Sequence, residues 1–213
     1  MFTGIIQHAG AVQASRPRPG GRRLEIDLGP LAGPLAPGDS VAVSGVCLTV
    51  AAAGAVTGFD VIGQTLRRTT LGSLRAGATV NLELPVSPTG ALDGHIVAGH
   101  VDGVAKVRRV RQDRQEHIVE FAATRELTDE MIARGSIAID GVSLTLMDVS
   151  QECFSVALVP TTLAKTTLAN LHVGSSVNVE TDIIGKYIRK YLHNLAAGSG
   201  GLTMEKLKDA GFI

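Results

Sequence analysis

The chain has 213 residues, 45% of them hydrophobic and 19% charged, a composition that excludes a disordered chain and allows one large domain or two of about 100 residues each. Lys+Arg 20 against Asp+Glu 20 gives zero net charge, and aromatics are 3% with no Trp, which argues against nucleic acid and anionic membrane as partners and removes the stacking platforms of single-strand binders. Two cysteines, Cys47 and Cys153, are too few for a disulfide scaffold, and residues 1–15 lack a basic leader region, so the expectation is a cytoplasmic protein.

Along the first part of the chain, short β-branched runs are punctuated by Gly, Pro, Asn or Asp at intervals of about ten residues. They predict strands near Gly10–Val12, Arg23–Leu28, Ser40–Val43, Cys47–Ala51, Thr57–Val61 and Thr79–Glu83. Ser40 to Phe59 carries no charge and is long enough for a membrane span. Its glycines and threonines interrupt it, however, and Val41 and Val43, then Val46, Leu48 and Val50, follow the period of a strand pair with a Gly turn. Ser87-Pro88-Thr89-Gly90 reads as a linker. A turn or two of helix is predicted at Leu127–Arg134, ended by Gly135. From Ile183 the apolar positions Ile184, Tyr187, Ile188, Tyr191 and Leu195 recur at helical spacing, with Asp182 as the cap and Lys186, Arg189, Lys190 and His193 opposite. This amphipathic helix must bury its stripe on its own domain or on a partner subunit. Gly198-Ser199-Gly200-Gly201 predicts a flexible break before a short helix over Thr203–Asp209.

A duplication runs through these elements. Ser44-Gly45-Val46-Cys47-Leu48-Thr49-Val50 matches Asp140-Gly141-Val142-Ser143-Leu144-Thr145-Leu146 at an offset of 96 with four identities in seven. Thr65–Leu71 matches Thr162–Leu168 at 97 with five, and Gly77–Glu83 matches Gly174–Glu180 at 97 with four. A period this long is a whole domain rather than a solenoid unit. Residues 1–88 and 89–182 are therefore expected to be two equivalent domains, with 183–213 a C-terminal helix and tail. The expected class is all-β: two tandem six-stranded barrels, closed because an open sheet of that size leaves its edges exposed.

Between copies, Cys47 is opposite Ser143, Ser44 opposite Asp140, Ile5 opposite His100, Gln7 opposite Asp102 and Ser40 opposite Ser136. Cys47 and Ser143 each follow a Gly-Val turn and could present a nucleophile or a hydrogen-bond donor in equivalent pockets. The plainer reading is that a lone Cys in an apolar strand is core, and that Thr49 and Thr145 satisfy nearby backbone. Metal binding is not expected: His95 and His100 are five apart on a predicted strand, hence on opposite faces, with no Cys or carboxylate cluster beside them. There is no phosphate-binding Gly loop followed by Lys-Ser/Thr and no Gly-x-Ser-x-Gly elbow. Pattern alone ends at a tandem β-barrel with two related pockets.

Five segments in order, Met1-Phe2-Thr3-Gly4-Ile5, Ser44–Thr49, Gly99-His100-Val101-Asp102-Gly103, Ile139–Thr145, and Val177–Asp182 followed by Lys186-Tyr187, resemble the riboflavin synthases of the alpha-chain type over residues 1 to about 195. The resemblance implies a pair of six-stranded Greek-key barrels with a C-terminal helix, assembled as a homotrimer. It implies a dismutation of two 6,7-dimethyl-8-ribityllumazine molecules to riboflavin and 5-amino-6-(D-ribitylamino)uracil, with no cofactor, and association with lumazine synthase as a further partner. Phe2, Ser40, Cys47, His100, Ser143 and Asp182 stand where the family places catalytic residues. Its ligand-contacting segments fall on Gly4, Ile5 and Ile6, on Cys47, Leu48 and Thr49, and on Asp60, Val61, Ile62, Gly63, Gln64 and Thr65 in the first copy. In the second they fall on Gly99, His100 and Val101, on Ser143, Leu144 and Thr145, and on Ala157, Leu158, Val159, Pro160, Thr161 and Thr162, with Arg134 reaching in. His100 is read as a neighbour of this second pocket. Ser44 stands where Asn is common, and Gln64 and Thr161 where Glu is common. The alternative is a non-catalytic lumazine- or flavin-binding relative that keeps one pocket; His100, Ser143, Thr145 and Thr162 are all retained, which favours the enzyme.

Overall fold

The computed structural model describes every residue except 34, 88, 113–115, 199–207 and 209–213. The helix expected over Thr203–Asp209 and most of the Gly198–Gly201 break lie outside the described residues. The first copy folds as β1 (His8–Arg18), β2 (Gly21–Asp27), β3 (Ser40–Val43), β4 (Val46–Ala52), β5 (Val56–Ile62) and β6 (Thr79–Glu83). The second repeats the series as β7 (Gly103–Gln112), β8 (His117–Ala122), β9 (Ser136–Ile139), β10 (Val142–Val149), β11 (Cys153–Ala157) and β12 (Ser176–Thr181). Each set closes into an antiparallel barrel with the same Greek-key order, β1-β2-β5-β4-β3-β6 and β7-β8-β11-β10-β9-β12. Among the described residues three short α-helices, α1 (Gly63–Arg68), α2 (Arg125–Thr128) and α3 (Pro160–Lys165), and the longer α4 (Ile183–Gly198) accompany the strands.

Strand alternation sorts the side chains. On β4, Val46, Leu48 and Val50 are buried in the first core with Leu24, Ile26, Phe59 and Leu82, while Cys47 and Thr49 face outward. The second core is built alike around Ile137, Ile139, Val156 and the stacked pair Phe121 and Phe154, whose centroids are 5.1 Å apart. Cys47 and Thr49, and Ser143 and Thr145 at the equivalent places on β10, therefore lie on the outer wall of each barrel and not in its lumen.

The barrels join across a pseudo-two-fold. In both copies the β3–β4 type of hairpin turns through two left-handed residues, Ser44 and Gly45 (φ 43 and 77) and Asp140 and Gly141 (φ 45 and 80), the geometry of a type I′ turn. The two turns touch: a Cβ on Gly45 would lie 2.6 Å from the Gly141 nitrogen, and one on Gly141 would lie 2.7 Å from that of Gly45. Two buried asparagines stitch the contact reciprocally. Asn81 Nδ2 donates to Asp140 O (3.0 Å) and its Oδ1 accepts from Thr167 N (2.8 Å); Asn178 Nδ2 donates to Ser44 O (2.8 Å) and its Oδ1 accepts from Thr70 N (2.7 Å).

Some element limits differ from the sequence reading. β1 was expected only near Gly10–Val12 but runs to Arg18, because Ser15–Arg23 has no apolar alternation to announce it. It pairs with β6 only as far as Ala11 and beyond that with β2 alone, so Pro17 sits on a free edge where its missing N–H costs nothing. The helix expected over Leu127–Arg134 is the four-residue α2, and the chain after it is a turn that ends with Gly135 N donating to Ile132 O. α4 starts where expected, with Ile184 N donating to Asp182 Oδ1 (3.0 Å), and continues to Gly198.

A chemical break in the symmetric joint is Asp140, opposite Ser44; it is buried and accepts from Asn178 N (2.8 Å). Burial pushes its carboxyl up from 3.8 to about 7, against the single backbone N–H that favours the charge. A raised carboxyl stabilises the fold at acid pH, and that contribution is lost as pH climbs above 3.8 and through about 7. Asp140→Asn is therefore expected to flatten the pH dependence of stability: between pH 5.5 and 8.5 the thermal midpoint of the wild type should fall more than that of the variant, as followed by circular dichroism.

Candidate active site

The site is organised by two buried glutamates at the ends of equivalent strands. Glu83 on β6 accepts from Thr3 N (2.6 Å), Thr3 Oγ1 (2.8 Å) and Gly4 N (3.0 Å). Glu180 on β12 accepts from Ala98 N (2.7 Å), Gly99 N (2.9 Å) and His100 N (3.0 Å). Burial pushes both carboxyls up, and the backbone N–H groups they hold pull them back. Each glutamate fixes the segment that precedes its own barrel, and each segment then crosses to the other barrel. Gly4 O accepts from Ser143 N (2.8 Å) and Gly99 O from Cys47 N (2.9 Å). Ile6 is buried in the second core and Val101 packs on the first.

Both crossing residues must be glycine. Gly4 and Gly99 have φ of 80 and 82, and a Cβ would lie 2.6 Å from Ser143 Cβ in one case and 2.5 Å from Cys47 Cβ in the other.

This exchange corrects the grouping by copy that accompanied the family resemblance. Gly4, Ile5 and Ile6 do not join Cys47; their segment lies on the Ser143 barrel. Gly99, His100 and Val101 do not join Ser143. They line, with Val46, Cys47, Gln64, Thr65, Arg68 and Thr69, an open pocket of about 190 Å³ on the first barrel. His100 is thus a neighbour of Cys47 and not of the second pocket. The physical reason is that Glu83 and Glu180 anchor each segment at the joint, pointing it across the two-fold.

The other positions fall as follows. Ser40 is half-buried opposite Thr49, beside the strand pair that carries Cys47. Asp60, Val61 and Ile62 line a separate cleft of about 340 Å³ with the β1–β2 turn, where Arg18 (2.7 Å) and Arg23 (2.9 Å) bridge Asp60 and lower its pKa. Gly63 opens α1, whose Gln64 and Thr65 reach the Cys47 pocket. In the second copy Thr145 stands opposite Ser136, Leu144 leans on the core, Leu158 is buried, Ala157 and Val159 are exposed, and Pro160, Thr161 and Thr162 form the first turn of α3. Arg134 is left-handed (φ 67) where the first copy has Gly38 (φ 100), and both N–H groups donate to the adjacent strand. Phe2 is fully buried in the joint between barrels with Ala42, Val97, Ala138 and Cys47, so it packs behind the pocket wall. Asp182 caps α4 and stands close enough to His95 for its charge to act there.

His95 is the residue that sequence reasoning missed. The sequence pattern puts it on a strand facing away from His100, but residues 91–102 form no strand beyond the single bridge Phe2–Val97. Its Nδ1 lies 2.7 Å from Ser143 Oγ. The available signal was the doublet Gly94-His95, repeated five residues later as Gly99-His100. Among the described residues no group of three His, Cys, Asp or Glu side chains could hold a metal ion, and no helix is long and apolar enough to cross a membrane.

Comparison with known proteins agrees with this duplicated architecture. The family model described as "Lumazine binding domain" matches twice, over residues 3–85 and 98–182. The chain is 37% identical to riboflavin synthase of Actinobacillus pleuropneumoniae over 221 aligned positions covering 100% of both chains. It is 41% identical to that of Chlamydia pneumoniae over 202 positions, covering 94% of this chain and 99% of the relative. Among solved structures, LumP complexed with riboflavin superposes with a TM-score of 0.78 at 29% identity, and LumP complexed with 6,7-dimethyl-8-(1'-D-ribityl) lumazine with 0.77 at 28%. Each covers 85% of this chain and 99% of the LumP chain.

The crossing peptides are tested by comparing two left-handed glycines. Gly77 (φ 87) has open space around its missing Cβ, whereas Gly99 does not. Gly77→Ala should cost about 1 kcal/mol in urea unfolding, from backbone strain alone. Gly99→Ala should cost at least about 2 kcal/mol, because the strand carrying Cys47 must also move.

Proposed function

The chain belongs to the riboflavin synthase family, with its lumazine-binding domain present twice, and from that premise we propose that it joins two molecules of 6,7-dimethyl-8-ribityllumazine, one bound on each barrel. One molecule gives up a four-carbon unit and leaves as 5-amino-6-(D-ribitylamino)uracil; the other accepts it and becomes riboflavin. The observation that carries this reading is the pair of crossing contacts built on one backbone plan but set beside different groups, Cys47 with His100 at one and Ser143 at the other. Two identical reactants with opposite roles call for two similar sites with small chemical differences. Aligning them can be worth about 7 to 11 kcal/mol of barrier. The two substrates balance each other as donor and acceptor, so the scheme calls for no external oxidant, metal or nucleotide.

Roles follow position. Cys47, Ser40 and His100 serve the first pocket and Ser143 the second; Asp182 acts from the start of α4, and Phe2 holds the joint that sets the pockets' spacing. The domain limits proposed are 1–88, 89–182 and 183–213.

A single copy leaves the site incomplete. The Cys47 pocket is open and, at about 190 Å³, is below the roughly 300 Å³ of a typical small-molecule site. Ile184, Tyr187, Ile188, Tyr191, Leu192 and Leu195 of α4 are all more than half exposed, and a groove of about 860 Å³ runs between α4 and the Asp129–Ile132 turn. Three such helices burying one another would make a homotrimer and set the first barrel of one subunit against the second barrel of the next. The setting proposed is the cytoplasm.

Purified protein given the ribityllumazine alone should form riboflavin absorbance with two substrates consumed per product, unaffected by EDTA. Stoichiometric binding with no product over hours would instead mark a binding protein. A chain ending at Asp182 should sediment below the trimer and lose at least about tenfold in turnover, since each site then lacks one wall. A truncated chain that stays trimeric, or a monomer at full rate, would contradict the shared site.

A further inference from the structure

We propose that His95 is a positioning residue for this reaction: it fixes the Ser143 hydroxyl as a hydrogen-bond donor directed into the second-barrel pocket, which sets that pocket apart from the one at Cys47. The inference rests on the two-pocket reading above.

The contact is built rather than incidental. His95 Nδ1 is 2.7 Å from Ser143 Oγ, and the histidine is only 9% exposed. His95 N donates to Thr3 O (3.1 Å), and two residues on Phe2 and Val97 exchange both backbone bonds (2.7 and 3.1 Å), so the segment is held against the N-terminal segment that carries Gly4. Gly94 lets it approach: a Cβ there would lie 3.0 Å from Ser143 Oγ and closer still to Thr3 O. Ser143 is thus flanked by two glycines and one imidazole.

Burial lowers the pKa of His95, and the charge of Asp182 only partly opposes this. The ring is therefore neutral at neutral pH, with a single N–H. Its Nε2 is buried without a partner among the described residues. A proton on Nε2 would leave an orphaned buried N–H, which folded proteins avoid more strictly than an unused acceptor. A proton on Nδ1 instead donates to Ser143 Oγ. The Ser143 hydroxyl, already accepting from His95, then has its own proton free, and because Ser143 is only partly buried that proton is available to a heterocycle bound on this face of the second barrel. A carbonyl oxygen or ring nitrogen of the bound heterocycle would accept it. Cys47 has the equivalent backbone bond to Gly99 but, among the described residues, no side-chain hydrogen bond, and a thiol is a weak donor. The two bound rings would therefore be polarised unequally.

The test uses the full chain and the ribityllumazine. His95→Phe should lower kcat by about tenfold or more while KM changes by less than about threefold, because the lost donor acts on the reacting ring. His95→Asn, whose amide N–H can replace Nδ1–H, should recover most of that loss. In a Ser143→Ala background His95→Phe should add no further loss. The absorbance maximum of the bound lumazine should shift in the same direction in His95→Phe and Ser143→Ala. If His95→Phe misfolds, the comparison of His95→Asn with Ser143→Ala by the bound-lumazine spectrum still decides: Asn should keep the wild-type maximum. The proposal is overturned if His95→Phe keeps the wild-type kcat, if Asn rescues nothing, or if the His95 effect persists without the Ser143 hydroxyl. A wild-type protein that makes no riboflavin would sink the enzyme reading itself, a result distinct from all of these.

Discussion

Two peptide carbonyls, those of Gly4 and Gly99, hold the molecule in its working form. Each accepts from the strand of the opposite barrel, at Ser143 N and Cys47 N, at distances of 2.8 and 2.9 Å. Neither contact tolerates a side chain, and each is held in place by a buried glutamate that accepts from Thr3 and Gly4 or from Ala98, Gly99 and His100. Because the crossing is reciprocal, the barrels cannot separate without breaking both of these contacts. The touching turns at Gly45 and Gly141 and the paired asparagines fix the angle at which this happens. The packing of the joint and the geometry of the sites are one constraint.

On that symmetric frame the chemistry is unequal. Gln7 accepts from Leu84 N, while its counterpart Asp102 accepts from Thr181 N (2.8 Å) and also draws in Lys186 Nζ (2.6 Å). The charge in the second copy thereby ties α4 to its barrel, where the first copy has only a neutral amide. Arg134 stands for Gly38 and Ala157 for Asp60. Cys47 stands for Ser143, and only the serine has an imidazole bonded to it. The shared backbone plan puts Cys47 and Ser143 in equivalent places; these substitutions make the surroundings of the two unlike.

Much of the fold was legible in the sequence because the evidence for it is local or repeated. Val46, Leu48 and Val50 alternate, the matched windows keep one register, and the α4 stripe recurs at helical spacing. The crossing was not legible. An offset that aligns Gly4 with Gly99 is satisfied equally whether each segment stays on its own barrel or moves to the other, and only the direction set by Glu83 and Glu180 decides it. The arm from Ser15 to Arg22 is not announced for a different reason: its strands pair through backbone bonds without burying a face, so no hydrophobic period marks them. His95 escaped because its partner Ser143 lies 48 residues away and its segment forms no regular element.

Cysteine labelling tests the crossing most directly. Ligand in the first pocket should shield Cys47 from alkylation by iodoacetamide, read at the Cys47 peptide by mass spectrometry to keep it apart from the other free thiol, Cys153. His100 and Ile5 are equivalent, exposed residues of the two crossing segments. The account predicts that His100→Ala, a change in the second copy, weakens the shielding of Cys47 by bound riboflavin, and that Ile5→Ala, a change in the first copy, leaves it intact. Loss of shielding with Ile5→Ala and none with His100→Ala would mean that each pocket is built within its own copy.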